Sequence, residues 1–434
     1  MAILFTLNLF IAILLLLVPL WFARTKLKLE FINPITILLA TSLPVQLMKL
    51  IGGPLILIDS GLYDEGYQFA LLMTNVQTIT QTLSLVFFFR FFSRIRIDRL
   101  MPLKKLVLSR LDLNRGKVFF LFVFGISLFL VANAEFGLLN WLQNPREGYQ
   151  LYRTGNGQWY ALAESALSAS FLFAVLANPS PPSVVISTII YIILGFFLGS
   201  KGMLLSFFVT GLVFLWFLKW KHLNRVIILG MPVLFTLLLF NLYLALADQF
   251  DLQAIFEYFD YYKNAADYYR GYLSGEINLF HGDVLLTSLW SYVPRGIFPD
   301  KPIVYGILHV NEIFFPGQAE LTNTPAFGGA VETFADFGVF GVILFGVLST
   351  QSIVYALFSY LIFRKPGVSF QRVTLASVLL LLVQFVPTFG VYFPGGLYLI
   401  LLLFVILVMR IIRRRIKKSR FANSELVTTL GSKN

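Results

Sequence analysis

The fold is decided by an apolar stretch at residues 184–217, which reads VVISTIIYIILGFFLGSKGMLLSFFVTGLVFLWF. Its only charge lies in the short motif Gly199-Ser-Lys201-Gly202. A single helix over 183–218 would be about 54 Å long, far longer than the ~30 Å hydrocarbon core of a bilayer. We therefore predict two membrane-spanning helices that are joined by a tight turn.

Similar apolar runs extend through the whole chain. Hydrophobic residues make up 58% of the 434 residues, charged residues make up 13%, and the mean hydropathy is +0.79. The sequence predicts an all-α, polytopic integral membrane protein with a membrane domain at 1–412 and a basic tail at 413–434. About eleven transmembrane helices are expected, at 3–22, 35–52, 69–91, 117–134, 159–177, 183–199, 202–218, 226–247, 338–362, 373–391 and 395–412.

The basic residues predict the orientation of these spans. If the loop after the first span is cytoplasmic, 26 of the 34 Lys and Arg residues lie inside, and 18 of the 22 acidic residues lie outside or in the outer parts of spans. The positive-inside rule then places the N-terminus outside and the C-terminus in the cytoplasm. The basic run from Arg410 to Arg420 is interpreted as a stop against anionic lipid headgroups and not as a nucleic-acid site.

Other functional classes are excluded by what the sequence lacks. It has no cysteine, which excludes disulfides, thiolate metal sites and cysteine nucleophiles.

The first run, at 3–22, has no basic residue before it and no small-residue cleavage site after it, so we expect a retained span. Two outer segments, at 135–158 and 248–337, are too long to be simple connections, and the second lies between the eighth and ninth spans.

The first outer segment carries signals for a short helix. Asn144 suits its cap, Pro145 its first position, Glu147 the capping-box position and Gly155 its C-terminal end. A helix over about 145–154 would place basic and aromatic side chains on one face.

That face consists of Arg146, Tyr149 and Arg153. The two guanidinium groups suit a shared diphosphate, because the planar fork of arginine matches phosphate oxygens. The alternative is that both arginines extend to lipid headgroups. Lys201 in the glycine-flanked turn is a further candidate for binding an anion, with an ordinary interfacial lysine as the alternative.

The long outer segment opens with an aromatic stripe at 257–272. A helix here would lie at the membrane surface, where tyrosine is favoured, although stacking on sugars is the functional alternative. Farther along, three prolines and a glycine at 290–302 exclude a regular helix. They hold Arg295, Asp300 and Lys301 on a stiff segment, as expected of a site.

Acids and histidines complete the candidates. Glu332 and Asp336 are four residues apart, so we expect them to share a helix face, with their pKa values lowered by the helix N-terminus. Glu164 is the acid expected within a span, where ionisable residues are usually functional. His281 and His309 lie outside in the predicted topology, and neither has metal-ligand spacing.

Several of these motifs together resemble a known family. They are the Arg146–Arg153 region with Gly155 and Gly157, Gly199-Ser-Lys201-Gly, Val293-Pro-Arg-Gly-Ile-Phe-Pro-Asp-Lys-Pro302, and Thr324-Pro with the glycine-rich entry to Glu332. The pattern is similar to the bacterial oligosaccharide repeat-unit polymerases of the O-antigen and capsule pathways. Two positions depart from it, namely Lys201, where arginine is common, and Ala330-Val331, which separates Gly329 from Glu332.

The resemblance implies a C-type glycosyltransferase-like fold in the bacterial inner membrane. It implies transfer of a glycan from undecaprenyl diphosphate to a new lipid-linked repeat unit, with no cofactor or metal, in O-antigen and lipopolysaccharide or other polysaccharide biosynthesis. Expected partners are membrane lipids, a chain-length regulator and a flippase, and not nucleic acid.

The diphosphate ligands implied are Arg146, Arg153, Lys201, Arg295 and Lys301. The candidate bases are Glu332, Asp300 and His281, in falling order. The glycan contacts implied are Tyr149, Tyr268, Tyr269, Arg270, Trp290 and Tyr292.

Three alternatives remain open from the sequence. The first is a related ligase that moves finished glycan from the same carrier, which a histidine base such as His281 would favour. The second is a transporter, although no internal repeat is seen and the spans carry few ionisable residues. The third is a non-catalytic component of a polysaccharide export system.

Overall fold

The computed structural model describes residues 2–29, 65–95, 115–134, 136–147, 157–246, 262–293, 298–320, 325–349, 352–353, 356–357 and 360. Within these ranges every regular element is helical. The α-helices are α1 Ala2–Thr25, α2 Glu65–Arg94, α3 Arg115–Ala132, α4 Leu138–Gln143, α5 Gly157–Ala177, α6 Pro181–Phe197, α7 Lys201–Phe217, α8 Leu223–Leu246, α9 Tyr262–Leu273, α10 Asp283–Thr287, α11 Leu308–Phe314 and α12 Val331–Val347. Two 3₁₀ helices cover Ser288–Tyr292 and Gln318–Glu320.

The long apolar run is two helices, as predicted. α6 ends at Phe197, α7 begins at Lys201, and Gly199 adopts the left-handed conformation (φ 67°) that the tight turn requires. Helices also occupy the other predicted spans that fall within the described ranges. The predicted spans at 35–52, 373–391 and 395–412, and the basic tail, lie outside the described residues.

Length and composition are consistent with a membrane protein. Two helical segments, Thr6–Thr25 and Leu223–Phe240, are long and apolar enough to cross a bilayer. Four shorter helical segments are also apolar: Val118–Ala132, Leu162–Ala177, Pro181–Phe197 and Lys201–Phe217.

These helices expose large apolar side chains to their surroundings. Phe10 and Trp21 on α1, Ile228 on α8 and Phe340 on α12 are each more than half exposed. Each such side chain would cost about 1.5–3 kcal/mol in water relative to its burial. Hydrocarbon removes that cost, so the exposed faces fit a lipid environment.

One group of helices packs around the α6–α7 hairpin. α5 lies against α3, and α7 packs on α6 and α8. The centre of this group is aromatic, with Phe171, Tyr191 and Phe207 in mutual ring contact. The buried hydroxyl groups of Ser170 and Tyr191 are 2.6 Å apart and satisfy each other.

A second group contains α1, α2, α9 and α12. α2 packs on the other three, and Gly66 lets it approach the backbone of α9 at Ala266, where a side chain would collide. Buried tyrosines of α2 and α9 and Phe334 of α12 fill the centre of this group. α9 is therefore part of the packed core of the group rather than a helix lying free at a surface.

α12 is broken at Gly338. This glycine has φ 61° and ψ −145°, a conformation that is nearly restricted to glycine. The break releases carbonyl oxygens from the helical ladder, and two of them accept hydrogen bonds from a distant loop. Phe280 N–H donates to Ala335 O (2.9 Å), and His281 N–H donates to Asp336 O (3.2 Å).

We predict that Gly338→Ala destabilises the protein by about 1–3 kcal/mol, because a Cβ is disfavoured at this φ and ψ. A lowered thermal midpoint in detergent would show the effect. Gly202→Ala is the matched control, since Gly202 lies in the first turn of α7 and an added Cβ would meet only Ser200 Oγ, at an ordinary contact distance of 3.8 Å. Equal midpoints for the Gly338 variant and the control would contradict the prediction.

Candidate functional site

The turn between α6 and α7 is tied to neighbouring segments through three consecutive carbonyl groups. Trp141 Nε1 donates to Phe197 O. Tyr160 Oη donates to Leu198 O (2.6 Å). Arg146 Nη1 donates to Gly199 O (3.4 Å). These carbonyls are at the C-terminal end of α6, where the helix itself supplies no donor, so side chains from elsewhere satisfy them.

Arg146 is positioned by the helix-start signals found in the sequence. Asn144 Oδ1 accepts a hydrogen bond from Glu147 N (3.3 Å), and Asn144 Nδ2 donates to Glu147 Oε2 (3.1 Å). The predicted cap is therefore confirmed. Residues 145–147 are helical, and Arg146 is half-buried beside the α6–α7 turn. Tyr149 and Arg153, expected on the same face, lie outside the described residues.

Lys201 completes a cationic cluster with Arg146. It is half-buried in the turn, where the Ser200 hydroxyl caps α7 by accepting from Met203 N (3.4 Å). Burial, with the nearby Arg146 guanidinium, lowers the pKa of Lys201 to about 7. Two residues that are 55 positions apart thus lie close enough for the Arg146 charge to disfavour the charge of Lys201. A bound anion would relieve that repulsion, which is the property expected of a phosphate site.

Glu164 lies at the edge of the same cluster. It is on α5, and its carboxylate is within hydrogen-bonding range of the Tyr160 and Ser200 side chains. The turn therefore combines two cations with one half-buried carboxylate.

A second cluster forms where α10 meets the break in α12. The Asp336 carboxylate accepts three backbone hydrogen bonds, from Gly282 N (3.0 Å), Val284 N (3.1 Å) and Leu285 N (2.7 Å). Asp336 is fully buried, and that burial raises its pKa above the ordinary value although the N–H donors oppose the shift. The expectation of a lowered pKa was wrong for Asp336, because the cost of burying its charge outweighs the N–H donors at the start of α10.

Glu332 and Asp336 differ in their burial and in their surroundings. Glu332 is half-buried in the first turn of α12, just after the left-handed residues Gly329 (φ 60°) and Ala330 (φ 61°). Asp336 is committed to the backbone of 282–285. Of the two acids, Glu332 is the one that stays a candidate for chemistry.

The two histidines that the sequence predicts outside, His281 and His309, lie before and after α10 in the chain. His281 is exposed and has a left-handed backbone (φ 53°). His309, near the start of α11, is half-buried, and its Nε2 is 3.1 Å from Thr287 Oγ1. Thr287 gave no signal in the sequence, because nothing local marks a threonine that binds a side chain 22 positions away.

The charged residues of the proline-rich segment at 290–302 differ in how exposed they are. Lys301 is buried, with its Nζ 4.4 Å from the centroid of the Tyr305 ring, a cation–π contact. Asp300 is exposed, and the Trp290 ring lies 5.4 Å from that of Phe298. Arg295 and the side chain of Tyr292 lie outside the described residues.

The tyrosines of α9 are buried and have packing contacts. Tyr268 and Tyr269 are fully buried, and Tyr269 Oη donates to Gly329 O (2.5 Å). This burial argues against direct contact between these rings and a glycan. Arg270 is exposed on the opposite face and pairs with Asp267 at 2.7 Å. Within the described part of the chain, no group of three or more His, Cys, Asp or Glu residues is arranged to hold a metal ion.

Comparison with known proteins finds two curated relatives. Both are O-antigen polymerases, one from Salmonella typhimurium and one from Salmonella typhi. Each is 27% identical to this chain over 204 residues, which is 46% of this chain and 49% of the relative. The chain thus aligns with about half the length of these relatives. No family model matches it, and no solved structure matches it. The alignments support a relationship to the O-antigen polymerase family, as the motifs predicted.

We predict that Asp336→Ala unfolds more readily than the wild type. The substitution leaves three N–H groups without an acceptor, two of them buried and one partly buried, and each buried group costs about 1–3 kcal/mol. The expected fall in the thermal midpoint is roughly 5–10 °C, measured by intrinsic fluorescence in detergent. Glu320→Ala removes an exposed acid and serves as the control. A midpoint for the Asp336 variant equal to that of the control would show that these bonds contribute little.

Proposed function

We propose that this protein polymerises oligosaccharide repeat units that are linked to a polyprenyl diphosphate. The observation that carries the proposal is the meeting of Arg146 and Lys201 at the α6–α7 turn. The two relatives named O-antigen polymerase support the same reaction class. The product would be O-antigen, capsule or another exopolysaccharide.

The proposed topology puts this turn on the outer face of the inner membrane. Eleven spans with the N-terminus outside place Arg146 and Lys201 in outer segments. Nucleotide sugars and ATP are not available on that side, so the activated donor has to be attached to the membrane. A lipid diphosphate meets that requirement and supplies the anion that a cationic cluster would bind.

The cluster suits the leaving group of the reaction. The growing glycan leaves its diphosphate as the bond between the sugar C1 and the phosphate oxygen breaks. Negative charge then develops on the departing oxygen, and fixed cations stabilise it in the transition state. We assign this role to Arg146 and Lys201, and extend it to Arg153, Arg295 and Lys301 as further diphosphate ligands.

The acceptor is the non-reducing end of a second lipid-linked repeat unit. The proposed glycan contacts are Trp290, Arg270, Tyr149 and Tyr292. Tyr268 and Tyr269 are not included, because their rings are buried in the helix core. A flippase that delivers the repeat unit and a chain-length regulator are the proposed partners in the inner membrane.

We predict that Arg146→Ala lowers polymerisation by roughly 10²–10³-fold, the cost typical of losing one electrostatic stabiliser of a transition state. Lys201→Ala, Arg153→Ala and Arg295→Ala are expected to act in the same direction. The measurement is the ladder of polymer lengths made by purified protein from a synthetic lipid-diphosphate repeat unit.

Lys263→Ala provides the control, because Lys263 is an exposed cation on α9 that takes no part in the cluster. Wild-type ladders from all four variants would overturn the proposal. Transfer of glycan to a lipid or protein acceptor instead of a repeat unit would indicate a ligase. Movement of the lipid across the bilayer without transfer would indicate a transporter.

A pH dependence follows from Lys201. Its pKa of about 7 means that it is charged at lower pH and loses charge as the pH rises through neutrality. Affinity for a lipid diphosphate should therefore weaken between about pH 6 and pH 8.5, measured by titration calorimetry in detergent. Lys201→Arg should lessen this weakening, because arginine stays charged. Identical pH profiles for the two proteins would exclude Lys201 as a ligand.

A further inference from the structure

Thr287 is the meeting point of three segments. It lies at the end of α10, and its Oγ1 donates to Asp283 O, 2.5 Å away in the same helix. Oγ1 also accepts from Gly306 N at 2.9 Å. The third neighbour is His309 Nε2, at 3.1 Å.

These contacts determine where the protons lie. A threonine hydroxyl has one proton and two acceptor sites. The 2.5 Å separation from Asp283 O places the proton between those two oxygens, since O–H···O bonds have this length. Gly306 N–H can only donate, so it takes one acceptor site. The remaining acceptor site faces His309, and Nε2 must therefore carry a proton.

The neutral His309 ring is consequently fixed as the Nε2–H tautomer. Its other nitrogen, Nδ1, then carries the lone pair and is the basic atom. The ring is supported on a second side by Phe280, with 6.0 Å between the ring centroids. The His309 backbone is held as well, by a hydrogen bond from its N–H to Gly306 O (3.2 Å).

We infer that His309 is the general base of the proposed polymerisation, with Thr287 as its positioning residue; the inference rests on the proposed function. The acceptor hydroxyl oxygen forms a bond to C1 of the growing glycan. The bond from C1 to the diphosphate oxygen breaks, and its electron pair leaves with the lipid diphosphate. The hydroxyl proton moves to His309 Nδ1 and afterwards returns to solvent.

His309 differs from the bases expected from the sequence, and a histidine base can deprotonate the acceptor hydroxyl of a repeat unit as well as that of a ligase acceptor. Asp300 and His281 are exposed on turns, and Glu332 lies in the first turn of α12. A base has to aim a lone pair at the acceptor oxygen. In His309 the direction of the Nδ1 lone pair is set by Thr287, which accepts a hydrogen bond from the other ring nitrogen, Nε2. Hydrogen bonding at one nitrogen commonly decides which tautomer a histidine adopts.

The first test is spectroscopic and does not depend on activity. The chain contains three histidines, His222, His281 and His309. In protein labelled with ¹⁵N at histidine, His309→Gln identifies the signals of His309. We expect the Nε2–H tautomer for this ring when it is neutral, and a mixture of tautomers in Thr287→Val. A neutral ring with its proton on Nδ1 in the wild type would overturn the inference.

The second test distinguishes a role of His309 as the general base from a purely structural role. His309→Gln keeps a donor near Nε2 for Thr287 but has no lone pair in place of Nδ1, so kcat should fall at least about 10²-fold while KM changes little. Thr287→Val should lower kcat with KM unchanged, and Thr287→Ser should restore it. A kcat within threefold of the wild type for His309→Gln would overturn the inference.

Arg146→Ala distinguishes this failure from failure of the proposed function. If Arg146→Ala is inactive and His309→Gln is active, the reaction class stands and the assignment of the base is wrong. If both variants make normal ladders, the proposed function falls too. Thermal midpoints of the variants identify any loss that results from unfolding, and a folded but slow Thr287→Val that Thr287→Ser rescues supports the positioning role.

Discussion

The second group of helices depends on the contact between Asp336 and the backbone of residues 282–285. A single buried carboxylate satisfies three N–H groups at the start of α10, and the adjacent carbonyls of the broken helix bind the two residues before it. These bonds fix the position of α10 and therefore of Thr287, which in turn orients His309. The proposed base is thus positioned indirectly by Asp336, through the backbone of α10 and then through Thr287.

The α6–α7 turn solves a different physical problem. Helix ends leave carbonyls unpaired, and here an indole, a phenol and a guanidinium satisfy them. Burial of Lys201, together with the nearby charge of the same guanidinium, lowers the pKa of that lysine. Under the proposed function, a lipid diphosphate would bring negative charge to this pair of cations.

Local features of both clusters were predictable from the sequence, and long-range pairings were not. The division of residues 184–217 into two helices follows from length, and the Asn144 cap follows from residues three positions apart. The target of Asp336 lies more than 50 positions away, so the four-residue spacing from Glu332 gave no sign of it. Tyr268 and Tyr269 belong to a stripe that suits either a membrane surface or a core, and only the neighbouring α2 decides which.

The break at Gly338 has a consequence for where the chain can be divided. Residues 331–337 belong to α12 in sequence, yet the carbonyls of Ala335 and Asp336 and the Asp336 side chain are bonded to the 280–285 loop. They therefore belong to the loop as a structural unit. A chimera with a relative that exchanges the loop at residue 331 would cut this unit in two. A junction placed after Gly338 would carry the loop across together with the seven residues that anchor it.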